Sequence, residues 1–311
     1  MIKVDLITGF LGSGKTTFIK KYARYFLDKG LKIGILENDY GAVNVDMLLL
    51  NELRGENCEL EMVAGGCDKD CHKRRFKTKL IAMGMSGYDR VLIEPSGIFD
   101  MDEFFDTLHE EPLDRWYEIG NVITVVDANL EDSLSADSDS YLATQVSNAG
   151  CIVMSRVDSV DDKRKSATVS HIKKALTSAN LSDSIENKLI TKSWDSLNSD
   201  DFERISSCGY HNSSYTKITA GKENDFSTLY FMEIPFTRES ISEKIKNLMQ
   251  DDSYGNVFRV KGFFCESDKW YQVNATKNEL HIDTIPVGQE VVIVIGENLN
   301  EEKIEILMRE S

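Results

Sequence analysis

Positive charge is what this sequence is short of. Against 52 aspartates and glutamates it carries 36 lysines and arginines, a formal net charge of −16 over 311 residues. Nucleic acid and anionic membrane surfaces repel so acidic a chain unless it concentrates cations locally. "KRRFKTK", Lys73 to Lys79, is the only dense basic run, and a solvated helix face is the commoner meaning of such a run. Long apolar stretches are missing too, and none approaches the ~20 residues that span a bilayer. The opening "MIKVDLITGF" passes from Met directly into an alternating apolar segment, without the pattern of a signal peptide. No internal repeat or low-complexity tract stands out. These absences argue against nucleic-acid and membrane partners and lead to the expectation of a cytoplasmic globular protein. Thiols stay reduced there, so Cys58, Cys67, Cys71, Cys151, Cys208 and Cys265 are expected as thiols or metal ligands rather than disulfides.

The length suffices for two domains, each with its own core. "KVDLITG", "KIGILEND", "RVLIEPSG", "NVITVVDA" and "CIVMSRVD" read as strands. Helical stretches separate them, such as the amphipathic "KTTFIKKYARYFLDKG" ended by Gly30. This alternation predicts an α/β domain over residues 1–195, with a mainly parallel sheet flanked by helices. Residues 196–225 are rich in Ser, Asn and Asp and read as a linker-like boundary. From 226 to 311 the strands "STLYFMEIPF", "NVFRVKGFFCE", "WYQVNAT" and "EVVIVIG" join the helices "RESISEKIKNLMQD" and "NEEKIEILMRE". They predict a smaller α+β domain with an antiparallel sheet.

"GFLGSGKTT", Gly9 to Thr17, falls between the first strand and the first helix and matches the phosphate-binding pattern G-x-x-x-x-G-K-[ST] in full. Gly9, Gly12 and Gly14 let the backbone curl so that successive N–H groups point at phosphate oxygens, and the helix N-terminus adds its own free amides. The expected nucleotide contacts are Gly12, Ser13, Gly14, Lys15, Thr16 and Thr17. Lys15 would reach the β- and γ-phosphates, and the Thr16 hydroxyl would complete a Mg²⁺ shell. "VLIEPSG" ends an apolar strand in Glu94 and Gly97, which places a carboxylate near Mg²⁺ or the attacking water and an amide near the γ-phosphate. "ILENDYGAVNVD" adds Glu37, Asp39 and Asp46 where a loop sensing the γ-phosphate would lie. Asp46 is the first choice for orienting water or metal-bound water. Asp158, in Ser155-Arg156-Val157-Asp158, can accept two hydrogen bonds from guanine that adenine cannot offer. Arg156 can stack on a base. The usual N-K-x-D has Asn where this chain has Ser155.

"GGCDKDCHKR", Gly65 to Arg74, sets Cys67 and Cys71 four residues apart with His72 adjacent. Two thiolates and an imidazole suit Zn²⁺ or another transition metal, with Asp68, Asp70 or a second subunit completing a tetrahedral shell. A turn with two thiols and a redox pair are the other meanings of this spacing. Cys208 and His211 form a second, isolated C-x-x-H, more in keeping with a surface loop.

The motifs "GFLGSGKTT", "ENDYGAVNVD", "GGC", "VLIEPSG", "VVDA" and "QVSNAGCIVMSRVD", in this order, resemble the CobW-type P-loop GTPases. These are relatives of the GTPases that mature nickel hydrogenase and urease. "VFRVKGFF" and "EVVIVIGENLNEEKIEILM" resemble that family's C-terminal module, so the likeness covers nearly the whole chain. It implies GTP hydrolysis coupled to delivery of a metal or metallocofactor to a client metalloprotein. Thr16 makes the hydrolysis Mg²⁺-dependent in expectation, the lack of a catalytic arginine by motif makes it slow, and the altered cysteine motif described next extends the clients to a cofactor-dependent enzyme, for example a corrinoid one. Many relatives are dimers, so a homodimer is possible. The family's metal motif is G-C-x-C-C; here only Cys67 aligns, and Lys69 and Asp70 occupy the next two cysteine positions. A His-rich tract common in the family is missing, the chain having five histidines in all. A nucleotide-gated scaffold with little turnover is one alternative. A P-loop small-molecule kinase is another, against which Asp158 and the second domain count.

Overall fold

A computed structural model describes residues 1–39, 45–64, 69–96, 101–132, 134–181, 184–211 and 226–310. The chain divides into two compact units, Met1–Thr219 and Ala220–Ser311. In the first unit, short apolar strands alternate with helices: β1 (Ile2–Thr8), α1 (Lys15–Asp28), β2 (Ile33–Asp39), α2 (Val45–Leu50), β3 (Cys58–Ala64), α3 (Lys69–Gly84), β4 (Arg90–Pro95), α4 (Met101–His109) and α5 (Leu113–Trp116). There follow β5 (Tyr117–Asp127), α6 (Ala136–Asn148), β6 (Cys151–Ser155), α7 (Asp162–Ser178), β7 (Leu189–Ile190) and α8 (Ser199–Ser206). The strands pair in parallel in the order β3-β2-β4-β1-β5-β6-β7. This is the mainly parallel sheet expected from the sequence.

Side chains alternate across each strand, and β1 therefore feeds two cores. Val4 and Leu6 join Phe76, Leu80 and Phe104 on one side. Ile7 joins Phe18, Ile19, Tyr22 and Phe26 of α1 on the other. The helical spacing of those α1 residues is what turns its apolar stripe onto the sheet. Among the described residues, no helix is long and apolar enough to cross a membrane.

The segment expected as a linker from 196 onward behaves differently up to residue 211. Asn198 and Asp201 close a capping box at the start of α8. Phe202 then stacks on Tyr25 at 5.3 Å and Ile205 is fully buried. The Gly209 carbonyl accepts a bond from Val122 N at 3.0 Å. The polar residues that made this stretch look like a linker lie on the outer side of a short amphipathic helix.

The second unit comprises β8 (Phe226–Met232), α9 (Arg238–Gln250), β9 (Asn256–Glu266), β10 (Lys269–Thr276), β11 (Glu279–Ile285), β12 (Val291–Glu297) and α10 (Glu301–Arg309). Its antiparallel sheet runs β11-β10-β9-β12-β8. Ile241 and Ile245 of α9 share one core with Ile304 and Met308 of α10 and with Val260, Phe264 and Val292 of the sheet.

One charged network lies inside the first unit. Asp5 on β1 is fully buried, and its carboxylate accepts bonds from Tyr22 Oη at 2.8 Å, Asn121 Nδ2 at 2.9 Å and the Arg90 guanidinium. Arg90 in turn stacks over Phe26, 4.6 Å from the ring centre. Asp5→Ala would strand the guanidinium in the core. It is expected to cost about 3–5 kcal/mol in urea unfolding, and a loss under about 1 kcal/mol would mean the network is solvated.

Candidate functional site

The phosphate loop begins where β1 ends, at the carboxyl edge of the sheet. Gly9 has φ +147°, and a Cβ there would stand 2.2 Å from the Val125 carbonyl oxygen, so only glycine lets the loop start beside β5. The Ser13 amide donates to the Phe10 carbonyl at 3.2 Å, closing the curl. Gly14, with φ +97°, is the N-cap of α1, and neither a capping side chain nor an acidic residue occupies the helix's first turn. That N-terminus keeps its amides for an anion. Lys15 and Thr16 are each 7% exposed. Lys15 Nζ curls over the loop and donates to the Gly9 carbonyl at 3.0 Å.

One carboxylate meets this loop from the adjacent strand, and a second lies in register beside it. Thr16 Oγ1 donates to Glu94 Oε1 at 3.0 Å. Glu37 on β2 is the register partner of Glu94 on β4, and both are buried. Burying adjacent carboxylates is costly unless a cation compensates them, and a hydroxyl with two carboxylates is a hard oxygen donor set that fits Mg²⁺. Asp39 ends β2 and Asp46 lies in α2, but their side chains, like all of Gly97, lie outside the described residues.

Facing the first turn of α1 is a group of residues that sequence reasoning did not single out. Trp194 lies against Gly14, its ring 3.3 Å from where a Cβ would be, and packs on Phe18 with ring centres 5.6 Å apart. The preceding residue, Ser193, donates its hydroxyl to the Asp158 carboxylate. A two-residue strand, β7, delivers this turn, which left no pattern to read in the sequence. Asp158 is exposed, whereas Ser155 is buried against the phosphate loop. Arg156, expected to stack on a base, instead donates to the Gly12 carbonyl at 3.0 Å and pairs with Asp127. Its left-handed φ of 53° turns the guanidinium back onto the loop.

The cysteine segment is only partly described, since Cys67 and Asp68 lie outside the described residues. Cys71 stands partly exposed on α3. His72, expected as a metal ligand beside it, is fully buried, with Nε2 at 2.7 Å from Asn38 Oδ1 on β2. Consecutive helical residues point about 100° apart, so one faces outward and the next enters the core. Asn38 is also the acceptor for the Ser96 amide just beyond Glu94, at 3.0 Å. His72 thus links α3 to the strand ends that carry Glu37 and Glu94. Among the described residues, no three His, Cys, Asp or Glu side chains gather in a metal-binding arrangement. Burial pushes the Cys58 thiol up to about 11. A hydrogen bond with Cys151, aided by burial, raises that of Cys208. Neither thiol is poised to ionise as a ligand.

Residues 3–182 match the family described as CobW/HypB/UreG, nucleotide-binding domain. The chain belongs to the CobW/HypB/UreG family. Residues 230–310 match the Cobalamin synthesis protein cobW C-terminal domain. Zinc chaperone YeiR of Escherichia coli is 31% identical over 160 residues, 51% of this chain and 47% of its own length. Zinc chaperone YjiA of the same species is 29% identical over 173 residues, 53% of this chain and 52% of its own. The chain thus spans about half the length of these two curated relatives. Zinc-regulated GTPase metalloprotein activator 1 of Dictyostelium discoideum aligns over 308 residues at 25% identity, 84% of this chain and 62% of that protein. Among solved structures, the Zn(II)-bound YjiA GTPase of E. coli covers 99% of each chain at 20% identity and a TM-score of 0.35.

The two roles open to His72 in this family member separate cleanly in metal-free protein. His72→Ala is expected to destabilise the chain by about 1–3 kcal/mol in urea melts, through the buried Asn38 carbonyl left without its bond. Unchanged stability would instead make His72 a residue held for a ligand.

Proposed function

We propose that this CobW-family chain binds and hydrolyses GTP with Mg²⁺, and that turnover drives delivery of a metal or metallocofactor, zinc the first candidate, to a client protein. The observation that carries this reading is the Thr16–Glu94 hydrogen bond beneath the phosphate loop, with Glu37 in register beside it. Mg²⁺ held by these oxygens would neutralise charge developing on the phosphates. The protein's own part is positioning. Lys15 would leave the Gly9 carbonyl for the β- and γ-phosphate oxygens, and the loop amides and the N-terminus of α1 would hold the remainder. Glu94 and Asp46 are the groups for orienting the attacking water, with the Gly97 amide near the γ-phosphate.

Support for guanine comes from Asp158, whose exposed carboxylate is oriented by Ser193 and can accept from both N1–H and the 2-amino group. Arg156 serves the same end indirectly, by fixing the loop against β5 and β6. No catalytic arginine is evident by motif, so intrinsic turnover should be slow until a client or a second copy completes the site. Support for metal cargo comes from the zinc chaperones among the relatives and from the place of Cys71. It adjoins His72, and through Asn38 a change at the Cys67–Cys71 segment would be felt beside Glu94.

Lys15→Ala should weaken GTP binding about 10- to 100-fold in titration calorimetry, the loss of one charge-assisted contact. Unchanged affinity would move the nucleotide elsewhere. In phosphate-release assays, wild-type protein should turn over slowly but steadily with Mg²⁺, and Glu94→Gln should lower kcat about 100-fold or more. A wild type that binds GTP without releasing phosphate would make it a nucleotide-gated scaffold.

Cargo binding has its own test. Equilibrium dialysis with Zn²⁺ should show a tight site lost in the Cys67→Ser, Cys71→Ser double variant while GTP affinity is kept. Unaltered zinc stoichiometry in that variant would remove these cysteines from the reading.

A further inference from the structure

The turn that follows β7 touches both ends of the proposed nucleotide site. It is a single 3₁₀ turn, Trp194–Ser196, closed by the Ser196 amide on the Ser193 carbonyl at 3.0 Å. At its start the Ser193 hydroxyl donates to the Asp158 carboxylate. One residue on, the edge of the Trp194 indole stands 3.3 Å from where a Gly14 Cβ would be, and Ser155 Cβ stands 3.6 Å from the same point. Neighbouring residues of one turn therefore address the base end and the phosphate loop.

What holds this turn in place decides how firmly it holds Asp158. β7 contributes only two residues of pairing with β6. Asp195 pairs with Lys21 of α1 at 2.7 Å, but its side chain is 89% exposed, and exposed ion pairs contribute little. Lys192 reaches Asp201 of α8 at 2.5 Å, again with both side chains in contact with solvent. Trp194 differs in kind. Its ring packs on Phe18, with 5.6 Å between centres and 60° between planes, and joins the core of Ile7, Phe18, Ile19 and Tyr22. Aromatic area buried against a core outweighs such ion pairs. Trp194 Nε1 has no hydrogen-bond partner among the described residues, so contact alone seats the ring.

We propose that Trp194 is a positioning residue for base selection. Its ring spaces the turn from Gly14 and Phe18, and that spacing leaves Ser193 where it presents the Asp158 carboxylate to the 2-amino group of guanine. Without the ring, only exposed ion pairs tie the turn to its surroundings, Ser193 shifts with it, and the exposed Asp158 side chain loses its fixed direction. The phosphate loop has anchors of its own, Gly9 against the Val125 carbonyl and Arg156 on the Gly12 carbonyl, so the loss falls on the base. The inference rests on the GTP reading above, with Asp158 as the base-binding group.

Titration calorimetry with Mg²⁺–GTP and Mg²⁺–ITP tests it, because inosine lacks the 2-amino group. Wild-type protein should prefer GTP about 10-fold or more, the worth of a hydrogen bond to a charged group. Trp194→Ala should cut that preference to about 2-fold or less, through loss of the same bond, while affinity for ITP changes little. Trp194→Leu refills the space beside Phe18 without reaching Gly14 and should behave like the alanine variant. Trp194→Phe keeps a ring on Phe18, forfeits no hydrogen bond, and should restore part of the preference. Circular dichroism checks the folding of each variant.

An intact preference for GTP in the alanine or leucine variant would overturn the inference alone. Equal losses for GTP and ITP would do the same, making the ring a support of the phosphate loop. A wild type that binds both nucleotides alike would remove Asp158 from base recognition, and one that binds neither would remove the GTP reading; the inference would fall with either.

Discussion

The closeness of two backbones governs the carboxyl end of the first sheet. Gly9 passes so near the Val125 carbonyl that a single methyl group would push β1 and β5 apart. From that contact the phosphate loop is held from more than one direction. Asp127, two residues beyond Val125, fixes Arg156, and Arg156 reaches back to the Gly12 carbonyl. Trp194 closes on Gly14 from a third segment. The loop's shape is therefore imposed by its surroundings before any ligand arrives, which lowers the ordering cost of binding.

The second dependency runs through β2 and β4. These neighbours bring Glu37 beside Glu94 and carry Asn38, which accepts from both His72 and the Ser96 amide. α3 is hydrogen-bonded through His72 to the strand ends next to Glu37 and Glu94. Buried polar links of this kind, when satisfied, rigidify the segments they join. Asn38 is thus a shared partner of α3 and of the strand ends that carry Glu37 and Glu94.

Much of this was legible beforehand, and the exceptions have specific causes. The phosphate loop was complete in nine residues because its geometry depends on local glycines. The alternation of strands and helices gave the parallel sheet. β3 and β11 carried no such signal: they are sheet edges, each with two acidic residues among its seven, and edge strands escape the apolar run that marks a buried strand. The buried bond of His72 to Asn38 left no signal, because sequence adjacency to Cys71 conceals the angle between successive helical residues. Arg156 looked free to stack because its left-handed backbone cannot be read from a motif. Ser193 and Trp194 follow a strand of two residues, too short to leave a period.

The order of strands in the first sheet also has a consequence in time. Lys3 pairs with Arg90, and Ile2 with Tyr117. The central strand is thus synthesised well before either of its neighbours. Until then the apolar run Val4, Leu6 and Ile7 has no sheet to join, and Asp5 has neither Arg90 nor Asn121. Long-range closure of this kind slows folding and leaves an aggregation-prone strand exposed in the nascent chain. A carboxylate at the centre of such a strand is the kind of charge that opposes its aggregation before the sheet closes around it.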